Sequence, residues 1–212
     1  MIRIIIAEDH NIVRSGLRHF FNTVPDIEVI ADTGLGLEAV RLARELRPDI
    51  LILDMDLPDI NGMDVMTRLA DSGHDAAILF LTMYDNPDLA GQLMKAGAKG
   101  FIVKSGEPEE LVEALRKIHS GGIYITPVVR DQILQSQFHT VPGQESLKDL
   151  SQREMQVLLK VAQGLSNAEI ADRLCISEGT VKTYRHRVQT KLGINNNVDL
   201  IKFCIKQGLI SQ

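Results

Sequence analysis

The chain has 212 residues, a formal net charge of -5 and a composition of 44% hydrophobic and 24% charged residues. This composition is that of an ordinary folded protein, and the length suits two modest domains with separate cores. The sequence lacks an apolar run long enough to cross a bilayer, and its N-terminus lacks the basic start and long apolar stretch of a secretory signal. We therefore expect a cytoplasmic protein that does not contact a membrane.

The charge is unevenly distributed. Residues 1–149 carry 14 Lys and Arg against 23 Asp and Glu, whereas residues 150–212 carry 9 against 5. An acidic part joined to a basic part suggests different partners for the two, and the basic part modestly favours nucleic acid. Cys175 and Cys204 lie in helical patterns without close Cys or His partners, which favours reduced core thiols over a disulfide or a metal site.

Five short runs rich in Ile, Val and Leu predict β-strands. Continuous apolar runs of this kind suit parallel strands that are buried on both faces. They span residues 2–7, 27–31, 50–53, 77–81 and 100–103. Helical patterns follow them at 11–23, 36–46, 62–71, 87–96 and 107–119. Alternating strands and helices predict a doubly wound α/β domain with a five-stranded parallel sheet.

After Gly122 no further strand is expected. We predict a first domain over 1–122, a linker over 123–148 and a second domain over 149–212. The linker has a helical pattern at 126–137, and its polar remainder with Pro142 and Gly143 suggests flexibility. The second domain is all-α, with four helices predicted near 151–164, 167–174, 178–191 and 196–207.

Chemically active residues follow four of the five predicted strands. In a doubly wound sheet such residues meet at the carboxyl edge. They are Glu8 and Asp9 after the first strand, Asp54 after the third, Thr82 after the fourth and Lys104 after the fifth. Close carboxylates suit Mg²⁺, and a carboxylate beside this ion can attack phosphorus to form an aspartyl phosphate. Each residue alone is more typical of a cap or a surface charge, so the prediction depends on their convergence.

The segments Ile6–His10, Leu51–Pro58, Asn61-Gly62, Leu81-Thr82 and Val103-Lys104 resemble the receiver domain of two-component signalling, over about residues 1–120. The resemblance implies a flavodoxin-like fold and a sensor histidine kinase as phosphoryl donor to Asp54. It implies that Glu8, Asp9, Asp54 and the backbone carbonyl of Asp56 hold Mg²⁺. It also implies that Lys104 and Thr82 contact the phosphoryl group and that Phe101 is the aromatic residue that turns inward when Thr82 moves.

Three positions depart from the usual receiver pattern. Met83 stands where receivers often have a small residue, Ser105 replaces the proline that often follows the lysine, and the Asp56 side chain adds an acid near the site. None of them removes a required group. Gly34-Leu35-Gly36 is a weak match to a dinucleotide loop, and a glycine-rich turn is the preferred interpretation because it follows the second strand and lacks the third glycine.

In the second domain, two predicted helices joined by a short turn around Ser177 suggest a helix-turn-helix. On the second helix, Val181, Val188 and Leu192 fall on an inward face. The outward face carries donors and cations, as a helix in the major groove requires. It comprises Gly179, Lys182, Thr183, His186, Arg187 and Thr190. Arg185 lies nearer the inward side, from which its side chain could reach a phosphate. An ordinary solvated helix face is the alternative.

The sequence from Leu150 to Gly193 resembles the LuxR/NarL-type four-helix DNA-binding domain over nearly its whole length. The resemblance implies base contacts from Lys182, Thr183 and His186. It implies phosphate contacts around Ser166, Asn167, Arg173, Tyr184 and Lys191, and Thr180 and Arg187 complete the predicted DNA surface. Ala168 stands where many relatives have Lys. Val198, Ile201 and Ile205 on the last helix match the family's usual dimer surface.

These patterns predict a phosphorylation-dependent transcription regulator that is not a turnover enzyme. Its expected partners are a cognate sensor histidine kinase, double-stranded operator DNA and, on activation, a second copy of the chain, with RNA polymerase as a further candidate. Two alternatives stay open at this point. One is a Mg²⁺-dependent phosphatase acting through an aspartyl phosphate, and the other is a receiver whose output is protein contact without DNA binding.

Overall fold

The structure is a computed structural model that describes residues 1–138, 147–174, 176–207 and 209–210. Its contacts divide the chain into two compact units. The first comprises Met1–Met83 and Leu93–Thr126, and the second comprises Tyr84–Gln92 and Pro127–Gln212. Among the helices of the described residues, none combines the length and apolar character that a membrane span requires.

The first unit is built on a parallel sheet of six strands in the order β2-β1-β3-β4-β5-β6. The strands are β1 (Ile2–Ala7), β2 (Ile27–Thr33), β3 (Ile50–Asp54), β4 (Ala77–Thr82), β5 (Gly100–Val103) and β6 (Tyr124–Ile125). All of β3 and β5 and all of β1 except Arg3 are buried, as expected for apolar strands covered on both faces. The predicted flavodoxin-like fold is confirmed.

The sixth strand corrects the expectation that strands end before Gly122. It is two residues long, and it pairs parallel to β5, with Tyr124 opposite Gly100 and Ile125 opposite Phe101. Two residues are too few for a hydrophobic period to be visible in sequence. The pairing depends on tertiary contact, since Tyr124 is buried in the same core as Leu115 and Ile118.

The helices that surround the sheet are α1 (Asn11–Phe21), α2 (Gly36–Leu46), α3 (Gly62–Asp71), α4 (Pro87–Lys95) and α5 (Pro108–His119). The α4 helix is divided between the two units after Gln92. Arg47 follows α2 as its C-terminal cap and has a φ of 47°. In the described part of the chain it is the only non-glycine residue with positive φ. The Arg3 guanidinium donates to the carbonyls of Leu46 and Arg47 at 3.0 and 3.2 Å and so satisfies the exposed end of α2.

The described elements in the rest of the second unit are all helices. They are α6 (Pro127–Phe138), a short 3-10 turn (Leu147–Asp149), α7 (Gln152–Ala162), α8 (Asn167–Leu174), α9 (Glu178–Lys191) and α10 (Asn197–Lys206). Most of the segment predicted to be flexible, 139–146, lies outside the described residues, as does Cys175. The Cys204 thiol is free and buried, and burial raises its pKa to about 12.

Local sequence explains where three of the last four helices begin. Ser151 and Glu154 form a reciprocal capping box at α7, with the Ser151 amide donating to Glu154 Oε2 at 2.7 Å. Ser177 accepts the Thr180 amide at 3.1 Å at the start of α9, and Asn196 accepts the Asp199 amide at 2.9 Å at the start of α10. A buried core fixes these helices against each other and includes Met155, Leu158, Ile170, Val181, Val188, Leu192 and Leu200.

Candidate functional site

The carboxyl edge of the sheet holds a compact acidic pocket. Ligand atoms of Glu8, Asp9, His10 and Asp54 all lie within 4.8 Å of one another. Glu8 and Asp54 are buried, with exposed fractions of 1% and 4%, so these carboxylates have little contact with water. Strand β1 delivers Glu8 and strand β3 delivers Asp54, and the two strands are direct neighbours in the sheet. The predicted convergence of these side chains is therefore present in the structure.

Lys104 supplies the cation of the acidic pocket. Its Nζ atom lies 2.7 Å from Asp54 Oδ2 and 2.7 Å from Glu8 Oε2, and its side chain is 9% exposed. Burial alone would lower the pKa of Lys104, but the hydrogen bond and charge of Asp54, with the contribution of Glu8, raise it overall. The ammonium group therefore stays charged and is held within reach of an incoming anion.

The charged form of Asp54 is disfavoured even though Lys104 lies beside it. Burial is the largest effect and raises the pKa of Asp54 to about 6, while Lys104 lowers it and the charges of Glu8 and Asp56 add to the rise. One ammonium group thus contacts two buried carboxylates, and the half-buried Asp56 adds a third negative charge nearby. A group with this environment is a candidate for reaction with, or binding to, an electron-poor centre.

Thr82 and Phe101 occupy the neighbouring strands and are almost fully buried. The backbone amide of Lys104 donates to the Thr82 carbonyl at 2.7 Å, which fixes the end of β5 against the end of β4. Met83, by contrast, is 71% exposed, so its side chain does not fill the pocket. The bond between Lys104 and Ser105 is trans.

Gly62 allows the segment after β3 to pass close to Asp54. A Cβ atom at this position would lie 2.6 Å from the carbonyl oxygen of Asp54 and 2.8 Å from the Phe80 ring. Asn61, which caps α3 by accepting the Asp64 amide at 2.9 Å, fixes the same turn. The Asn61-Gly62 pair therefore has a packing role at the site that the motif alone did not explain.

Three residues at this edge were not singled out from the sequence. His10 Nδ1 lies 2.7 Å from Asp9 Oδ1 and 3.1 Å from Glu8 Oε1. Arg14 donates to the Glu8 carbonyl at 2.6 Å and so fixes the end of β1. Both follow β1 in the turn and first helix, and only their proximity in sequence to Glu8 could have indicated them. The third is Asp59.

Asp59 explains the glycine-rich segment after β2. Its carboxylate accepts the amides of Gly36 and Leu37, the first residues of α2, at 2.7 and 2.8 Å. Burial raises the pKa of Asp59, but these backbone hydrogen bonds outweigh it and hold the pKa below its usual range. The amides that a dinucleotide loop would offer to phosphate are thus occupied, and the turn interpretation of Gly34-Leu35-Gly36 is favoured.

The donor set fits a hard divalent cation. Glu8 Oε2 and Asp9 Oδ1 are buried oxygen atoms, and the ion pairs described for them are with Lys104 Nζ and His10 Nδ1, each at 2.7 Å. Oxygen atoms of three carboxylates converge, which is the ligand type that Mg²⁺ prefers. An ion at this point would also relieve the excess negative charge that raises the pKa of Asp54.

A second candidate site is the outward face of α9. Lys182, Thr183, His186 and Arg187 are all exposed, while Val181 and Val188 on the other side are buried. The Thr183 and Arg187 side chains also have internal contacts: the Thr183 hydroxyl donates to the Gly179 carbonyl at 3.0 Å, and the guanidinium lies 5.9 Å from the Tyr184 ring centre. Thr180 and Tyr184 are half-buried at the margins of this face.

Several residues predicted to contact phosphate have internal partners. The Ser166 hydroxyl donates to Glu169 Oε2 at 2.6 Å. Lys191 Nζ lies 2.7 Å from the buried Glu154 Oε2 and also donates to the Asp149 carbonyl at 2.9 Å. Asn167 accepts a hydrogen bond from Arg185. Arg173 is half-buried on α8. These contacts show that part of the predicted DNA surface also holds the helices together.

A doubly wound sheet with an acidic pocket at its carboxyl edge, followed by a helix-turn-helix unit, is the architecture of a signalling regulator. Two family models match the chain: a response regulator receiver domain over residues 4–116, and the luxR family of bacterial regulatory proteins over residues 148–204. The chain belongs to the two-component response regulators that join a receiver domain to a luxR-type DNA-binding domain, and the predicted family is confirmed.

Characterised relatives match over almost their whole length. The chain is 31% identical to the response regulator GacA of Pseudomonas aeruginosa over 99% of this chain and 98% of the relative. It is 33% identical to the response regulator UvrY of Escherichia coli K12, covering 99% and 96%. It is also 33% identical to the oxygen regulatory protein NreC of Staphylococcus aureus, covering 99% of each.

Solved structures agree with this assignment. RcsB from Salmonella enterica serovar Typhimurium, bound to promoter P1flhDC in the presence of the phosphomimetic BeF3-, has a TM-score of 0.79 and 26% identity, covering 95% of this chain and 97% of that one. A LuxR family response regulator from Aurantimonas sp. SI85-9A1 has a TM-score of 0.63 and 33% identity, covering 66% and 99%.

Proposed function

We propose that this chain is a transcription regulator that accepts a phosphoryl group on Asp54 from a sensor histidine kinase and then binds operator DNA as a dimer. The single observation that carries the first part is the position of Asp54, buried beside Glu8 and 2.7 Å from Lys104 Nζ. A carboxylate held next to a charged ammonium group is placed to attack an electron-poor phosphorus while the growing negative charge is neutralised.

The transfer step uses the residues of the acidic pocket in distinct roles. A carboxylate oxygen of Asp54 forms the new bond to phosphorus, and the bond from phosphorus to the kinase histidine nitrogen breaks, with its electron pair leaving on the imidazole. Lys104 and the Thr82 hydroxyl contact the phosphoryl oxygens. Glu8, Asp9, Asp54 and the Asp56 carbonyl would hold Mg²⁺, which supplies charge neutralisation when bound. The chain undergoes this modification without catalysing the turnover of a substrate.

The expected output is DNA binding through α9. Lys182, Thr183 and His186 are exposed together on one face, where they would reach base edges in a major groove. Arg187, Thr180, Tyr184 and the residues around Asn167 and Arg173 would contact the backbone. The structures of RcsB include one bound to promoter DNA and one with two dimers bound to two parallel DNAs. These RcsB complexes support DNA binding as the output of the present chain.

The α10 helix is the proposed dimer surface in the second unit. Val198 is 62% exposed, and Ile201 and Ile205 on the same helix are half-buried. Apolar side chains left at a surface in this way favour association with a second copy. Dimers would place two recognition helices on adjacent half-sites.

The test combines a small phosphodonor with selected DNA. The full chain is treated with acetyl phosphate and MgCl2, and a duplex selected from a random pool by this protein is used in gel-shift and sedimentation assays. We expect one phosphoryl group per chain, a shift towards dimer and tighter DNA binding, all of them lost in Asp54→Asn. Glu45→Gln, an exposed change on α2, is the matched control and should behave as wild type. Unaltered affinity and oligomeric state after stoichiometric phosphorylation would refute the proposal.

A further inference from the structure

The polar link between α8, α9 and α10 is the feature from which we draw a new role. Arg185 lies in the middle of α9 and is half-buried. Its Nη1 donates to Asn167 Oδ1 at 2.5 Å, and its Nη2 donates to Asn197 Oδ1 at 2.7 Å. Asn167 is the first residue of α8 and Asn197 is the first residue of α10. One guanidinium group thus connects the beginnings of two helices to the recognition helix.

The chemistry of arginine fixes which way both amide groups point. A guanidinium group carries five N–H donors and no acceptor, so only the carbonyl oxygen of an asparagine can face it favourably. Each amide nitrogen, Nδ2, must therefore point away from Arg185. The Asn197 side chain is exposed, so its NH2 group is directed towards solvent at the start of α10.

The electrostatic setting of these amides favours an anion. The Arg185 bonds are to two neutral amides rather than to a carboxylate, so its charge is not cancelled by these partners. The amino-terminal ends of α8 and α10 add partial positive charge at the same place. Two carboxylates lie in the first turns of these helices, and each has a cation of its own nearby. Asp199 Oδ1 lies 3.6 Å from Lys202 Nζ, and the hydrogen bonds of Ser166 and the charge of Arg173 lower the pKa of Glu169.

We propose that Arg185 is a positioning residue that orients the side-chain amides of Asn167 and Asn197 as a pair of donors to DNA phosphates. The proposal rests on the proposed DNA-binding function and extends it. It adds Asn197 to the DNA surface and gives Arg185 an internal role in place of the direct phosphate contact expected from sequence. The rigid link also fixes the spacing between the two amides, which a single flexible contact could not do.

The central experiment is a salt titration of DNA affinity. A direct contact between a cation and a phosphate contributes about 0.9 to the slope of log K against log salt, whereas a neutral amide contributes little. Arg185→Met should therefore weaken binding to the selected duplex about tenfold while lowering the slope by much less than about 0.9. Arg187→Met is the matched control, an exposed arginine on the same helix, and should lower the slope by about 0.9.

A mutant cycle separates positioning from a general loss of structure. Asn197→Ala should weaken DNA binding, and Arg185→Met should have a smaller effect when Asn167 and Asn197 are both replaced by Ala than in the wild type. Arg185→Lys keeps the charge but offers a single point donor, so it should not restore affinity. In wild type, the side-chain NH2 resonances of Asn167 and Asn197 should shift on DNA binding. Circular dichroism of each variant checks that it is folded. If Arg185→Met unfolds, the DNA affinities of Arg185→Lys and Asn197→Ala test the proposal in its place.

The outcomes are distinct. A slope lowered by about 0.9 in Arg185→Met, together with affinity restored in Arg185→Lys, would overturn the proposal and make Arg185 a direct phosphate ligand. Unchanged affinity in Asn197→Ala, or strictly additive effects, would also overturn it. Wild-type protein that binds no selected duplex at any salt concentration would instead remove the proposed function on which the inference rests.

Discussion

Replacing Asp54 by Asn should raise the free energy of unfolding of the receiver near pH 7.5 in metal-free buffer. The structure buries the Glu8 and Asp54 carboxylates around one ammonium group, with the half-buried Asp56 nearby. Burial together with the charges of Glu8 and Asp56 raises the pKa of Asp54 to about 6, against the lowering effect of Lys104. Asn has nearly the same shape and no charge. The substitution therefore removes a repulsion without opening a cavity.

The sign follows from the direction of the pKa change. Because the pKa of Asp54 is higher in the folded state than its ordinary value of 3.8, its contribution to stability is present below about pH 3.8 and is lost as the pH rises through about 6. The difference between these values corresponds to at most about 3 kcal/mol. Lys104 loses one of its two carboxylate partners in the variant, so we expect a net gain of about 1–3 kcal/mol.

Urea unfolding of the full chain, followed by far-UV circular dichroism, measures this gain. Hydrogen exchange of the β1 amides assigns the transition to the receiver. The gain of Asp54→Asn should vanish near pH 4, and MgCl2 should stabilise the wild type more than the variant. Asp59→Asn is a control of opposite sign. Backbone amides hold the pKa of Asp59 below its usual range, so this variant should have a lower free energy of unfolding than the wild type at neutral pH. Equal stability of wild type and Asp54→Asn at about pH 7.5 would refute the reasoning.

Two further sets of variants test the packing. Gly62→Ala places a Cβ atom 2.6 Å from the Asp54 carbonyl and should lower the free energy of unfolding by about 1–3 kcal/mol. A Cβ atom at Gly91, inside α4, meets nothing within 4 Å, so Gly91→Ala should raise the free energy of unfolding by about 0.5–1 kcal/mol. Thermal unfolding compares the two variants directly. Lys191→Met leaves the buried Glu154 carboxylate without its ammonium partner. Chemical denaturation should show that the free energy of unfolding falls by about 1 kcal/mol. An unchanged free energy of unfolding would show that this pair does not stabilise the fold.

The sequence was most informative where a residue's role depends on strand order. Apolar runs located five strands, and the rule that carboxyl ends of parallel strands meet at one edge was enough to bring Glu8, Asp54 and Lys104 together. Helix starts were also predictable, because caps such as Ser177 act within a few residues of themselves. The identities of the residues that contact phosphoryl groups or DNA stay predictions.

Partners that are distant in sequence could not be predicted. The short strand at Tyr124–Ile125 forms only because β5 offers it an edge, and Asp59 caps a helix that begins 23 residues earlier. Lys191 shows a different difficulty. Its type and position suit a phosphate contact, yet its ammonium group also holds Glu154 on α7, and sequence spacing does not distinguish these uses.

The Asp59 cap has a consequence for how phosphodonor kinetics are interpreted. A helix N-terminus with open amides attracts small phosphate compounds and would compete with the pocket at Asp54. Here the amides of Gly36 and Leu37 are already filled by an anion that belongs to the protein itself. The Asp59 carboxylate thus already occupies the position that a phosphate compound would take at the start of α2. Saturation by acetyl phosphate in the full chain should accordingly report on the acidic pocket, with little contribution from the start of α2.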